Sequence, residues 1–346
     1  MKRFLVLVLL IYFSLNLFAE VISEPMASVN LIRPEMITSL EVDQKIENYN
    51  KQLVASGRPR QNIKKSDMLD SLISSVLIAQ AAEKSGMTVS DQDLNRVLQS
   101  QKQSAEGQLH QKINDAQFKQ LIINQTGSTW ENYLSGIKEQ LLQQSYITKN
   151  KKSLFEAIKV PGNEEIENKY NENIQHFFNP EYIRVSMIFI PILNKDTEKA
   201  ADAKKSLDKA YLELKNGSIS FDDAVLKYSE EESIKYRGGD IGYVGRDNRN
   251  LKLQLGEDFF NNMFKLPVNK ISKVLVSNSG YHILKITEKL EPKLLKLDDP
   301  IAPGNKLSVR NYIKDGLFQE KQQEVLAKAL KEITTELRKQ AEIIYF

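Results

Sequence analysis

The chain has no cysteine, so no disulfide can staple it and no thiol can serve as nucleophile or lipid attachment point. One tryptophan and three histidines are all it offers for indole stacking or imidazole chemistry, and His110, His176 and His282 stand too far apart to read as a metal cluster. No Gly-rich loop followed by lysine provides a phosphate cradle. Neither sign of charge dominates: 48 basic residues face 45 acidic ones. Without a basic stripe interleaved with aromatics, nucleic acid is not an expected partner, and no small-molecule cofactor or metal is expected either.

Long hydrophobic runs are also scarce, with one exception at the start. Lys2 and Arg3 precede an apolar stretch from Phe4 to Phe18 that ends at Ala19, the layout of a basic n-region, h-region and small-residue cleavage site. Residues 1–19 are expected to be a signal peptide, and residues 20–346 a soluble exported protein. Ser14 and Asn16 interrupt the stretch, which is short for a membrane span; an uncleaved anchor is the alternative. The 346 residues, 41% hydrophobic and 27% charged, suffice for two or three domains with sizeable cores.

From about residue 37 to 180 the apolar positions recur at helical spacing. Met68, Leu69, Leu72, Ile73, Val76, Leu77 and Ala81 share a broad face that stops at Gly86. Ser90 is placed to cap the amide of Asp93, and Ser128 with Glu131 reads as a capping box before Trp130, Tyr133, Leu134, Ile137, Leu141 and Leu142. Asn163 is expected to cap a helix through Tyr170, and Asn179 and Pro180 then break the pattern. A compact α+β unit follows. Ile183, Val185, Met187 and Phe189 alternate as a strand, Leu207, Tyr211 and Leu214 mark a helix ending at Gly217, and Tyr281 to Ile286 reads as a buried strand. After Pro300 and Pro303 a long amphipathic helix returns through Val325, Leu326, Leu330, Ile333 and Leu337, needing a partner surface that the N-terminal helices provide. Ile343 to Phe346 is expected to pair as a strand with Met26 to Ile32.

Two blocks carry the functional signal. Residues 228–242 read YSEEESIKYRGGDIG, and further on residues 277–288 read SNSGYHILKITE. In the first, Gly238, Gly239 and Gly242 allow a tight turn locked by Asp240; in the second, a turn aims His282 inward. In this order they resemble the parvulin family of peptidyl-prolyl isomerases. Together with the helical regions on either side, the layout resembles the SurA family of periplasmic chaperones, whose members commonly carry two parvulin units where this chain has room for one. The implied fold is α+β: an all-helical N-terminal chaperone core, residues 20–180, completed by residues 300–346, with a parvulin domain inserted at 181–291. The missing cysteine departs from the lipoprotein foldases that share this domain.

The resemblance also implies a site. The second family histidine falls on His282, the turn hydroxyls on Ser277 and Ser279, and the usual Cys or Asp position on Glu231. The proline pocket falls on Ile241, Leu255 and Phe259, with Leu253 as an alternative to Leu255 because the preceding link is longer than usual. Met187 stands where the first family histidine belongs, so half of the histidine pair is missing. Each position also has a purely structural reading: His282 as a core histidine satisfied by serine, Glu231 as part of a solvated acidic run, and Leu255 and Phe259 as plain core. The implied function is a periplasmic chaperone or foldase for unfolded outer-membrane or secreted polypeptides, with a weak prolyl isomerase module. A secreted isomerase whose catalysis is the main output is the alternative, and a surface adhesin a more distant one.

Overall fold

The computed structural model of the chain describes residues 23–109, 111–192 and 197–346. The expected signal segment and His110 lie outside the described residues. In chain order the elements begin with β1 (Pro25–Asn30), β2 (Pro34–Thr38), α1 (Ser39–Ala55), α2 (Lys65–Lys84), α3 (Asp91–Leu109), α4 (Asp115–Thr126), α5 (Trp130–Asn150), α6 (Lys152–Glu156) and α7 (Asn163–Glu172). Next come β3 (Phe178–Asn179), β4 (Tyr182–Pro191), α8 (Thr197–Lys215), α9 (Phe221–Tyr228), α10 (Glu232–Lys235) and β5 (Asp240–Gly245). The rest are α11 (Arg249–Leu255), α12 (Glu257–Met263), β6 (Leu275–Ser277), β7 (Gly280–Leu290), β8 (Lys293–Leu294), α13 (Val309–Arg338) and β9 (Glu342–Tyr345). Two compact units divide the chain, one of Met1–Lys159 with Gln319–Phe346 and the other of Val160–Phe318.

The first unit is helical because its apolar residues recur every three or four positions. The α2 stripe, Leu72, Ile73, Val76 and Leu77, packs with Val29 and Ile37 of the small sheet and with Ala329, Ile333 and Leu337 of α13. Burying a leucine or isoleucine side chain is worth roughly 1.5 to 3 kcal/mol, so the last turns of α13 are held mainly by this contact. Lys151 reaches Glu332 and Glu336 at 3.2 and 2.8 Å, and Arg338 reaches Asp70 at 2.9 Å; with their carboxylates open to solvent, these pairs add little beyond register. The expected terminal strand is present. β9 pairs antiparallel with β1, which also pairs with β2, giving the order β2-β1-β9. The buried Gln80 amide secures the β1–β2 turn, accepting from the Leu31 and Ile32 amides and donating to the Arg33 carbonyl.

A second cluster in this unit gathers Leu94, Phe118, Ile122, Tyr133 and Ile137 around Trp130, whose ring lies 5.6 Å from Tyr133 and 6.2 Å from Phe118. Trp130 is thus a packing residue. Ser90 caps as expected, accepting from the Asp93 amide at 3.1 Å, but α5 is capped by Thr129 and not Ser128: the Thr129 hydroxyl accepts from the Asn132 amide. The helix starts one residue later than the Ser-x-x-Glu pattern suggests, and Ser128 spends its hydroxyl on the Thr129 carbonyl. Asn50, Gln80 and Gln143 are buried polar side chains of this unit, and one charged residue joins them. Lys45 on α1 is buried and held by the charges of Glu139 and Glu41; desolvation lowers its pKa to about 8 and raises that of Glu139 on α5 to about 7. Gln143 donates to the Glu139 carboxylate at 3.2 Å.

The second unit is a four-stranded antiparallel sheet, β5-β4-β7-β6, covered on both faces. Alternation along β4 and β7 decides which face each side chain joins. Ile183, Val185, Leu284 and Ile286 pack under α11 and α12 with Phe259, Phe260 and Phe264. Ile188, Ile190 and Ile283 pack under α8 and α9 with Leu207, Phe221 and Val225. The sequence reading missed β5, treating the GGD segment only as a turn when it turns directly into an edge strand. The unit is also wider than 181–291. Ile166 and Phe177, from before the sheet, form one cluster with Leu295, Val309 and Ile313 from after it, and the Tyr170 hydroxyl donates to the Leu295 carbonyl at 2.7 Å. The first turns of α13 therefore bury their apolar face here, where the N-terminal helices were expected to receive all of it. Asn163 is the first helical residue of α7 and not its cap; the Gly162 amide instead donates to the Glu165 carboxylate at 2.9 Å.

Candidate functional site

The two sequence blocks are brought together by strand β4, which lies between them. β4 pairs with β5 on one side and β7 on the other, and a glycine from each block presses against its backbone. A Cβ on Gly239 would sit 2.3 Å from the Met187 carbonyl oxygen, and one on Gly280 would sit 2.2 Å from that of Ile190. Both glycines also have positive φ, so these two positions accept no other residue without moving the strand. Asp240 locks the turn as expected: its carboxylate accepts from the Gly242 amide at 2.8 Å and binds Arg184 at 2.6 Å. The Arg184 guanidinium in turn holds the Asp240 carboxyl below the usual carboxylate range.

Register on β4 and β7 sets Phe189 opposite His282 and Met187 opposite Leu284. His282 is fully buried between two aromatic rings: Phe189 stacks on it at 4.4 Å and 14°, and Phe259 tilts against it at 4.6 Å and 48°. Its Nε2 lies 2.7 Å from the Ser277 hydroxyl, while Nδ1 has no hydrogen-bond partner. Burial pushes the His282 pKa down to about 3. The ring is therefore neutral under ordinary conditions, able to share one proton with Ser277 and unable to act as a cationic acid.

Most of the expected site residues converge. Leu255 and Phe259 are buried beside Leu284, with Ile241 and Met187 packed against the same cluster. Leu253, the alternative to Leu255, is 79% exposed, whereas Leu255 is buried. The Ser277–Gly280 turn is pinned to the end of α11, since Ser279 donates its hydroxyl to the Gln254 carbonyl at 3.2 Å and Asn278 its amide to that of Leu255 at 3.0 Å. Glu231 is engaged differently. Its carboxylate caps α10, accepting from the Ser233 amide at 3.2 Å and the Ser233 hydroxyl at 2.7 Å. Phe189 escaped the sequence reading as a site residue, although its place in the alternating β4 pattern already put it on the Met187 face.

Two open cavities on this unit, of ≈ 540 and ≈ 340 Å³, lie elsewhere. Arg184, Asp222, Tyr236, Arg237 and Asp240 line the first and Lys199, Lys227 and Glu230 the second; His282 lines neither. Among the described residues no group of three or more His, Asp or Glu side chains is gathered to hold a metal ion. No described helix is long and apolar enough to cross a membrane.

A buried histidine, a serine turn and an apolar cluster thus come together on a four-stranded antiparallel sheet. Residues 169–290 match the PPIC-type PPIase domain, and residues 1–147 match the SurA-like N-terminal domain. The chain thus joins a SurA-like N-terminal domain to a single PPIC-type PPIase domain. Foldase protein PrsA of Clostridium botulinum (strain 657 / Type Ba4) is 26% identical over 294 residues, covering 84% of this chain and 78% of that protein. Among solved structures, the peptidylprolyl isomerase PrsA of Bacillus anthracis shares 21% identity over 77% of this chain and 97% of that one, with a TM-score of 0.27. A chain from work on two SurA-like chaperones of Campylobacter jejuni shares 14% identity over 93% and 99%, with a TM-score of 0.37.

Proposed function

We propose that this chain is an exported chaperone and foldase whose helical unit holds unfolded outer-membrane or secreted polypeptides and whose PPIase unit mainly binds prolyl segments, isomerising them slowly. Residues 1–19, read as a signal peptide, support export to the periplasm. Rotation about an X-Pro bond faces a barrier of about 18 to 20 kcal/mol, and a catalyst must favour the twisted amide over both planar forms. An apolar pocket can seat the proline ring, and Ile241, Leu255 and Phe259 suit that task. Stabilising the twisted amide needs organised polar groups as well, and here the thioether of Met187 stands where the resemblance places the first imidazole of the pair. The observation that carries the reading is His282 Nδ1, buried without a hydrogen-bond partner. Loss of one such contact costs about 1 to 3 kcal/mol, roughly one to two decades in rate if all of it is felt in the transition state.

The test is a prolyl isomerisation assay run beside an aggregation-suppression assay on the same protein. Strong suppression with slow turnover, and a gain in turnover for Met187→His, is the expected result. A wild type with the rate of an efficient isomerase and no effect on aggregation would favour the second reading, a secreted isomerase whose catalysis is its main output. The convergence of the pocket residues with His282 and Ser277 is what keeps that reading in view.

A further inference from the structure

Phe189 is the residue through which three parts of the second unit meet. Its ring stacks on His282 at 4.4 Å. The same ring lies over the turn that precedes His282, where a Cβ on Gly280 would come within 3.0 Å of the Phe189 ring edge. Its backbone ties in the acidic loop: the Phe189 carbonyl accepts from the Glu230 amide at 2.9 Å, and the Phe189 amide donates to the Ser229 hydroxyl at 3.2 Å. Ser229 is buried and, through the Glu230 amide, leads directly into Glu231.

We propose that Phe189 is the positioning residue of this site, holding the His282 ring in one orientation against Ser277 and setting the place of the acidic loop beside it. The proposal deepens the prolyl-binding reading and rests on it for its functional consequence, though not for its structural one. In the arrangement the sequence resembles, a second imidazole would orient the first by hydrogen bonding. Here orientation comes from stacking. A face-on aromatic contact restricts rotation of the imidazole about its side-chain bonds and shields it from water without requiring a donor or acceptor. Phe259 alone, tilted at 48° on the other side, leaves one face of the imidazole uncovered. Phe189 is itself only half-buried, whereas the His282 it stacks on is fully buried.

Three histidines in the whole chain make selective labelling practical. With histidine-labelled full-length protein, the imidazole nitrogen resonances of His282 are followed by NMR against pH in the wild type, Phe189→Leu and Phe189→Tyr. In the wild type and in Phe189→Tyr, which keeps the stacked ring, His282 should show one neutral tautomer down to about pH 4. In Phe189→Leu its titration should rise by at least one pH unit and its resonances should broaden as the ring samples more than one orientation. On a prolyl peptide, Phe189→Leu should lower kcat three- to tenfold with KM unchanged, and Phe189→Tyr should restore it. A wild-type-like His282 titration and tautomer in folded Phe189→Leu would overturn the proposal whatever the turnover. If Phe189→Leu does not fold, Phe189→Tyr decides: a shifted His282 titration in that variant, despite the retained ring, would equally overturn it. A wild type that neither binds nor turns over prolyl peptides, yet whose His282 shifts in Phe189→Leu, would support the positioning role and remove only the prolyl-binding reading.

Discussion

The two units bury polar groups in opposite ways. The helical unit keeps a lysine and a carboxylate in its interior, each held by the other's charge, whereas the PPIase unit keeps a neutral imidazole between aromatic rings. Acid should therefore act on them with opposite sign. The folded pKa of His282 is depressed from 6.5 to about 3, so between those values the unfolded chain binds a proton that the folded one refuses. Its stabilising contribution is complete above about pH 6.5 and is lost as the pH falls toward 3. The folded pKa of Glu139 is raised from 4.5 to about 7, so the folded chain takes the proton first, and the cost of burying that carboxylate is relieved as the pH falls through 7. A buried charge and a buried neutral ring are thus distinguishable by the direction in which pH moves the unit that contains them.

The units also differ in how the chain supplies them, and this contrast gives the largest expected effect. The PPIase unit is one continuous segment, while the helical unit draws on two. Removing residues 319–346 takes Ala329, Ile333 and Leu337 out of the helical core and strand β9 out of its sheet. Hydrogen exchange should show the helical unit without cooperative protection and the β4–β7 strands still protected. Persistent protection of α2 in the truncated chain would break the contrast. Next in size is the acid response of the PPIase unit. Between pH 6.5 and 4, exchange of its central strands should report a loss of on the order of 3 kcal/mol, absent in His282→Gln. An equal loss in that variant would assign the response elsewhere. The smallest effect is the reverse trend in the helical unit: from pH 8 to 5.5 its stability should rise by about 1 kcal/mol, the Lys45 charge offsetting part of the gain. Urea titrations comparing the wild type with Glu139→Gln test this, and an identical pH slope in both would exclude Glu139 as its source.

Periodic features were the legible ones. The α2 stripe and the β4 alternation follow from spacing, because burial of a face imposes a period, while the inward-facing His282 was read from the turn before it. The Thr129 cap was not legible, since two hydroxyls stand side by side and the choice depends on where α5 meets its neighbours. Strand β5 was hidden because Gly242 and Gly245 lower strand propensity, and only pairing with β4 makes a strand of the segment that holds them. The width of the PPIase unit was hidden for a related reason: Phe177 and Leu295 are isolated apolar residues in sequence and become a core only when residues from both sides of the sheet meet. Of the site, the resemblance supplied the positions of His282, Ser277, Leu255 and Phe259. The capping role of Glu231 and the stacking role of Phe189 needed coordinates, because neither follows from residue type.

The pairing of β9 with β1 imposes an order in time. As the chain emerges from its N-terminus, every strand of the PPIase sheet is present once Leu290 has appeared, but β1 must wait until Glu342–Tyr345 arrive before its second neighbour exists. During that interval the edge of β1 and the apolar face of α2 have no covering from α13 or β9. The helical unit is thus, for part of the chain's own synthesis, incomplete, while every strand of the PPIase sheet has already been made.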